Sequence, residues 1–400
     1  MDFTDHLSAA FEKWIEPFCR AFGHKTRRRW APLYLRGLLA PGDRKSIEPI
    51  AQRVAPEELQ QLHHFVSTST WDTAPIEAVL FDKADALVGG DDAHLIVDDT
   101  GIPKKGELSV GVAHQYCGAL GKQANSQCLV SLTLARDEVP VPIVLRLYLP
   151  EPWAADEKRR ARARVPDEVV FRTKPRIAID EIRRVMAAGV RFGDVLADAG
   201  YGASFEFRHA LTDMKLRWAV GVMHDQLVYP SDVEVRPPPK RKPSARGAPK
   251  KWGTPTAKRQ RAEDVIAALG PDAFRRVSWR SGTKGRLAAK FAALRVRPAD
   301  GEVIRDRIRL PTDEAWLVCE LRGSERRYYL SNHPADISLK KLTGIIKARW
   351  SCEQAHQQLK EELGLDHFEG RSWHGLHHHA LLTQIAFAFL QQMRVRENKA

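Results

Sequence analysis

The chain has 400 residues, 63 Lys and Arg against 50 Asp and Glu for a net charge of +13, and a hydrophobic fraction of 43%. That fraction suits two or three globular domains and excludes a disordered chain, while five cysteines with no CxxC pair argue against a zinc module and a secreted disulfide framework. The basic balance points to a polyanionic partner, nucleic acid first, because each cation that neutralises a phosphate releases condensed counterions.

Residues 5–88 carry apolar positions at helical spacing, such as Phe11, Trp14, Ile15 and Phe18, then Leu59, Leu62 and Phe65, so a helical DNA-binding domain is expected over residues 1–88. Its run from His24 to Trp30 places Arg27, Arg28 and Arg29 together, as a grip for phosphates or as a solvated helix face. Strands are expected at Leu95–Asp98, Cys128–Ala135 and Val141–Leu147, the last two separated by a turn at Arg136-Asp137-Glu138. A helix through Ile179, Ile182, Val185 and Met186 precedes the short apolar run Val195–Ala197, and a helix at Phe205–Met214 leads into the strand Trp218–Val222. Strands in succession, then strands alternating with helices, predict an α/β fold with a mixed sheet in the order of a ribonuclease-H-like core.

From Arg236 to Arg261 the chain has ten Lys or Arg, six Pro and no acidic residue, the composition of an open basic loop that neutralises phosphate through Lys240, Arg241, Lys242, Lys250 and Lys251. Strand-like runs at Leu287–Val296, Trp316–Glu320 and Arg327–Leu330 suggest a β-rich insertion over residues 223–343. The apolar segment Leu381–Leu390 is too short to span a bilayer and reads as a core helix. His374, His377, His378 and His379 read as a polar turn before it, because no cysteine stands at a zinc spacing from them. Gly118–Lys122 lacks the glycine spacing and the Ser or Thr of a phosphate loop, which argues against nucleotide hydrolysis. With no secretory signature at the N-terminus, the cytoplasm of a cell is the expected home.

Three carboxylates carry the chemistry. Asp99 follows the apolar run Leu95–Val97, Asp198 follows Val195–Ala197, and Glu353 is flanked by Arg349 and Lys360 on one helix face, with Ile345, Cys352, Ala355 and Leu359 on the adjoining stripe. Two strand-end aspartates and a helix-borne glutamate are the hard oxygen donors that a pair of Mg²⁺ or Mn²⁺ ions needs for phosphoryl transfer.

The blocks Leu95-Ile96-Val97-Asp98-Asp99-Thr100-Gly101, Val195 through Gly202 and Arg349 through Lys360 resemble the three catalytic blocks of bacterial insertion-sequence DDE transposases, in the branch with a Tyr-Arg-Glu-Lys signature. Gly111–Gly118 and Gly364–Trp373 fit the same family. The resemblance implies a ribonuclease-H-like core in two parts, residues 89–222 and 344–400, around the β-rich insertion. It implies that Asp99, Asp198 and Glu353 hold two Mg²⁺ or Mn²⁺ ions, with Asp99 preferred to Asp98 because it directly precedes Thr100. It also implies that Arg349 and Lys360 contact DNA phosphates, with Lys104 and Lys105 beside the first block. Ile346 replaces the signature tyrosine. The implied activity cuts double-stranded DNA at an element end and joins the 3′-hydroxyl to target DNA, within a homodimeric synaptic complex. Two other readings remain: a catalytically silent DNA-binding derivative, and a ribonuclease-H-like nuclease that cuts without joining.

Overall fold

The computed structural model describes residues 3–238, 252–282, 285–304 and 308–397, so Lys240, Arg241, Lys242, Lys250 and Lys251 lie outside the described residues. The first helices are α1 (Phe3–Ala21), α2 (Lys25–Leu39), α3 (Ile47–Val54), α4 (Leu59–His63) and α5 (Ala74–Val88). Strands β1 (Gly90–Pro103), β2 (Ala113–Cys117), β3 (Lys122–Arg136) and β4 (Val139–Leu147) follow, then α6 (Glu151–Ala154), α7 (Glu157–Ala163) and α8 (Lys174–Ala187). Next come β5 (Phe192–Ala197), α9 (Ala199–Gly202), α10 (Phe205–Asp213), β6 (Arg217–Val222), β7 (Leu227–Pro230), β8 (Val235–Arg236), β9 (Thr254–Pro255), β10 (Gln260–Arg261) and α11 (Ala262–Ala268). The chain continues through β11 (Arg275–Gly282), β12 (Gly285–Pro298), β13 (Ala315–Arg322) and β14 (Glu325–Ser331) to α12 (Leu339–Ala348), α13 (Trp350–Glu361) and α14 (Trp373–Glu397).

These elements form two compact units, one of residues 1–193 and 349–400, the other of Asp194–Ala348. In the first unit β3 is the organising strand. It pairs antiparallel with β1 and β2 along one edge and with β4 along the other. The β3–β4 hairpin closes through Asp137 and Glu138, both at positive φ, the two-residue turn whose twist matches that of the strands. The α1 stripe of Phe11, Trp14, Ile15 and Phe18 is buried, and Phe11 and Trp14 stack on Phe389 of α14. Helix α14 is buried nearly all round for most of its length, as a helix apolar on every face must be. No helix among the described residues is long and apolar enough to cross a membrane.

In the second unit the strand order is β10-β7-β12-β13-β14-β6-β5, with β11 also on β12, and β5–β6 is a parallel pair among antiparallel ones. Buried Glu320 of β13 accepts from Lys347 of α12 at 3.0 Å and from Tyr329 of β14 at 2.9 Å, which ties the helix to the sheet. The fold is mixed α/β, with strands and helices where the sequence pattern asks for them.

Three expectations need correction. Strand β1 does not end at Asp99: it runs on to Pro103, with Asp99 opposite Val130 in the ladder, because β3 offers partners to that point. The helical run Ile345–Leu363 is two helices, α12 and α13, parted at Arg349, which is also where the chain returns to the first unit. The histidines are not a polar turn. His374, His377, His378 and His379 lie within α14, and the last three are buried.

Candidate active site

A strand sends successive side chains to opposite faces, so Asp98 and Asp99 of β1 face different neighbours. Asp98 stands opposite Ser131 in the ladder and shares its face; Asp99 shares the other face with Val130. Helix α13 lies on the Asp98 face: His356 Nε2 is 2.8 Å from Ser131 Oγ, and Cys352 Sγ is 3.3 Å from Thr133 Oγ1. On the other face Lys174, at the start of α8, donates to Asp99 Oδ2 at 2.7 Å. Thr173 caps α8 by accepting from the Arg176 amide, and Pro175 presets its first turn, which fixes where Lys174 projects. Burial lowers the affinity of Lys174 for its proton, but the Asp99 carboxylate outweighs burial and holds the ammonium charged.

Arg349 links two acids. Its Nη1 donates to Asp98 Oδ2 at 2.6 Å, and its Nη2 bonds the Glu353 carboxylate one turn on. The environments differ: the Asp98 side chain is 14% exposed and that of Glu353 57%. The first turn of α13 therefore presents Glu353 outward while a half-buried guanidinium, fixed from below by Asp98, stands beside it. Asp99, at 30% exposure, is the more open of the aspartate pair.

Asp198 belongs to the second unit, where it is the N-cap of the one-turn helix α9. Its Oδ1 accepts from the amides of Gly200 at 2.9 Å and Tyr201 at 3.2 Å. That turn lies tightly on β6: a Cβ on Gly202 would meet the Gly221 carbonyl oxygen at 1.9 Å, and one on Gly221 would meet the Ala199 nitrogen at 2.8 Å. Two glycines thus let the Asp198 turn seat against the strand.

The cations spread more widely. Lys104 donates to the Phe368 carbonyl at 2.6 Å, and burial lowers its pKa to about 8. Lys105 is exposed and Lys360 half-buried. On α2, Arg28 and Arg29 are exposed and Arg27 half-buried; Arg29 pairs with Glu58 and lies over the Trp30 ring.

Two histidine arrangements have structural roles. His379 bonds Tyr34 Oη at 2.8 Å and the Gly364 carbonyl at 2.9 Å, and His377 donates to the Trp373 carbonyl at 2.9 Å. Burial holds both near pKa 4 and so neutral. In the second unit Ser331, His333 and Asp194 form a hydrogen-bonded chain with links of 2.7 and 2.9 Å. The order is that of a hydrolase triad, but all three are buried, and the chain fastens β14 to β5.

The comparisons with known proteins agree with this arrangement. Residues 17–286 match the family described as DDE superfamily endonuclease. The chain belongs to that family. A curated protein of Microchaete diplosiphon, described as a probable transposase for the insertion sequence element IS701, is 31% identical over 193 residues, 48% of each chain. The matched stretch is thus about half the length of that relative. Membership of the DDE family accounts for the three acids and for the ribonuclease-H-like order of strands and helices on which they stand.

The Asp98–Arg349 link escaped the sequence reading. Its only signal was the period of two along β1, which had to be combined with the knowledge of which face α13 would cover.

Proposed function

We propose that this protein is a transposase that cuts DNA at the end of a mobile element and joins the freed 3′-hydroxyl to target DNA. The observation that carries the reading is Glu353 at 57% exposure beside a guanidinium fixed by Asp98, in a chain of the DDE endonuclease family. Asp99, Asp198 and Glu353 would hold two Mg²⁺ or Mn²⁺ ions. The donor set fits, being carboxylate oxygen throughout and partly open to solvent at each position. When bound, such ions activate an attacking oxygen and stabilise a leaving one.

The chain's own residues orient the substrate. The amides of Gly200 and Tyr201 fix the Asp198 carboxylate through Oδ1 and leave Oδ2 as its coordinating oxygen. Asp98 keeps Arg349 in place when Glu353 turns to a cation, so the guanidinium can take a phosphate oxygen in a forked contact. Lys360, Lys104, Lys105, Arg27, Arg28 and Arg29, with the basic residues Lys240, Arg241, Lys242, Lys250 and Lys251, would neutralise phosphates along double-stranded DNA. Two copies would act together on two element ends.

The test is incubation of purified protein with Mg²⁺ and a labelled duplex carrying an element end. Joined products support the proposal, nicks without joining make the protein a nuclease, and binding without nicks makes it a silent DNA-binding derivative.

A further inference from the structure

Beneath Arg349 is a cluster of a different chemical kind from the open carboxylates. Cys352 and His356 stand one helical turn apart on α13 and point to the same side, the i,i+4 spacing by which a single helix supplies two ligands to one ion. Their Sγ and Nε2 atoms are 3.5 Å apart. Zinc bonds of about 2.3 Å to sulfur and about 2.0 Å to nitrogen, at a tetrahedral angle, set an S···N edge of about 3.5 Å. Asp98 completes the group from β1: one ligand atom from each of Asp98, Cys352 and His356 lies within 4.8 Å of the other two.

We propose that Asp98, Cys352 and His356 form a binding site for a thiophilic divalent cation of the Zn²⁺ class, separate from the site of the hard ions. Thiolate and imidazole select Zn²⁺ or Co²⁺ over Mg²⁺, whose preference is for oxygen. The surroundings are built for this. Cys352 is fully buried and His356 is 6% exposed, so the ligands are held in fixed rotamers. Thr133 Oγ1, at 3.3 Å from Sγ, can donate to the thiolate. Ser131, which bonds Nε2 at 2.8 Å, has a second partner in the Asp98 carbonyl oxygen at 3.1 Å, to which its hydroxyl turns when Nε2 takes the ion. On binding, the Cys352 S–H bond breaks, its proton leaves to solvent and a sulfur–metal bond forms; the imidazole proton moves to Nδ1. Entry runs past Arg349, whose side chain is 27% exposed and covers Asp98.

Occupancy has a consequence. A cation that takes the Asp98 carboxylate competes with the Arg349 guanidinium for the same oxygens, so Arg349 loses its anchor beside Glu353. A soft ion would then oppose DNA cleavage while a hard ion supports it.

The experiment uses the full chain, reduced and stripped with chelator, and titrates Co²⁺ while absorbance is followed. The expected result is a thiolate-to-cobalt band in the near ultraviolet, with tetrahedral bands in the visible, saturating at one ion per chain and undiminished by a large excess of Mg²⁺. Cys352→Ala should remove the thiolate band, and His356→Gln should weaken Co²⁺ binding at least about tenfold. Should Cys352→Ala not fold, Cys352→Ser provides the same readout, since a hydroxyl gives no thiolate band. The proposal is overturned by a wild-type titration without that band, by a band that survives in the Cys352 variants and so comes from Cys19, Cys117, Cys128 or Cys319, or by displacement of Co²⁺ by Mg²⁺. None of these outcomes depends on cleavage activity, so failure here and failure of the transposase reading are separate results.

Discussion

Replacing Glu77 by Gln tests whether the first unit is held by a buried charge network. Glu77 of α5 has a side chain 5% exposed, and it accepts from Arg146 Nη1 and Nη2 on β4 and from Arg184 Nη1 on α8, each at 2.7 Å. Burial by itself would raise the Glu77 carboxyl, but Arg146 and Arg184 outweigh it and bring the pKa from 4.5 down to about 2. At about 1.36 kcal/mol for each factor of ten in proton affinity, that drop is worth about 3 kcal/mol. Breaking a buried ion pair by removing one partner costs about 3–5 kcal/mol, which agrees. The sign follows from a depressed carboxylate pKa. The stabilisation is fully present above about pH 4.5, and it is lost as the pH falls towards about 2. Urea unfolding of wild type and Glu77→Gln, followed by tryptophan fluorescence from pH 7 to pH 3, should therefore show a difference of about 3 kcal/mol near neutrality and about half of it at pH 3. A difference below about 1 kcal/mol at pH 7, or one of constant size across the range, would refute the network.

Three further outcomes are expected. Asp99→Asn should abolish nicking with Mg²⁺ while leaving duplex affinity nearly intact, whereas Asp98→Asn should slow nicking about 10- to 100-fold by loosening Arg349; equal, wild-type rates in both would remove the aspartate pair from the reaction. Because the Lys104 pKa is about 8, raising the pH from 7 to 9 should remove one phosphate contact and flatten the dependence of log affinity on log salt by about 0.9, and Lys104→Arg should abolish that change. Gly202→Ala should destabilise the second unit by about 3 kcal/mol or more, since the new methyl group meets the rigid Gly221 carbonyl oxygen, and an unchanged melting temperature would contradict the tight seating of the Asp198 turn.

Much of this architecture was legible in the sequence because local rules and burial agree. The period-3.6 stripes gave α1, α8 and α13, and the apolar runs gave the centres of β1, β3 and β4, while the Asp137–Glu138 turn separated the last two. What was hidden depends on distant partners. The extension of β1 past Asp99 is decided by β3, and nothing in the local pattern at Gly101 marks it. Glu77, Arg146 and Arg184 come from three separate elements, and each looks like an ordinary surface charge until the fold brings them together. The four histidines near residue 375 read as polar because composition does not reveal that Tyr34, Val66 and Gly364 offer them buried partners. For the candidate site, the three acids were visible as types and spacings, but the role of Asp98 needed the pleat and the helix above it.

The first unit is discontinuous: its sheet is made early in the chain, and α13 and α14, which cover that sheet, come only after the whole second unit. During synthesis, β1, β3 and β4 must wait with Ser131 and Thr133 uncovered until residues beyond 349 have left the ribosome. Glu353 arrives with that same last piece. Translation that stops short thus yields a molecule lacking both its lid and its third acid, so the order of the codons itself protects the host chromosome from half-made cutters.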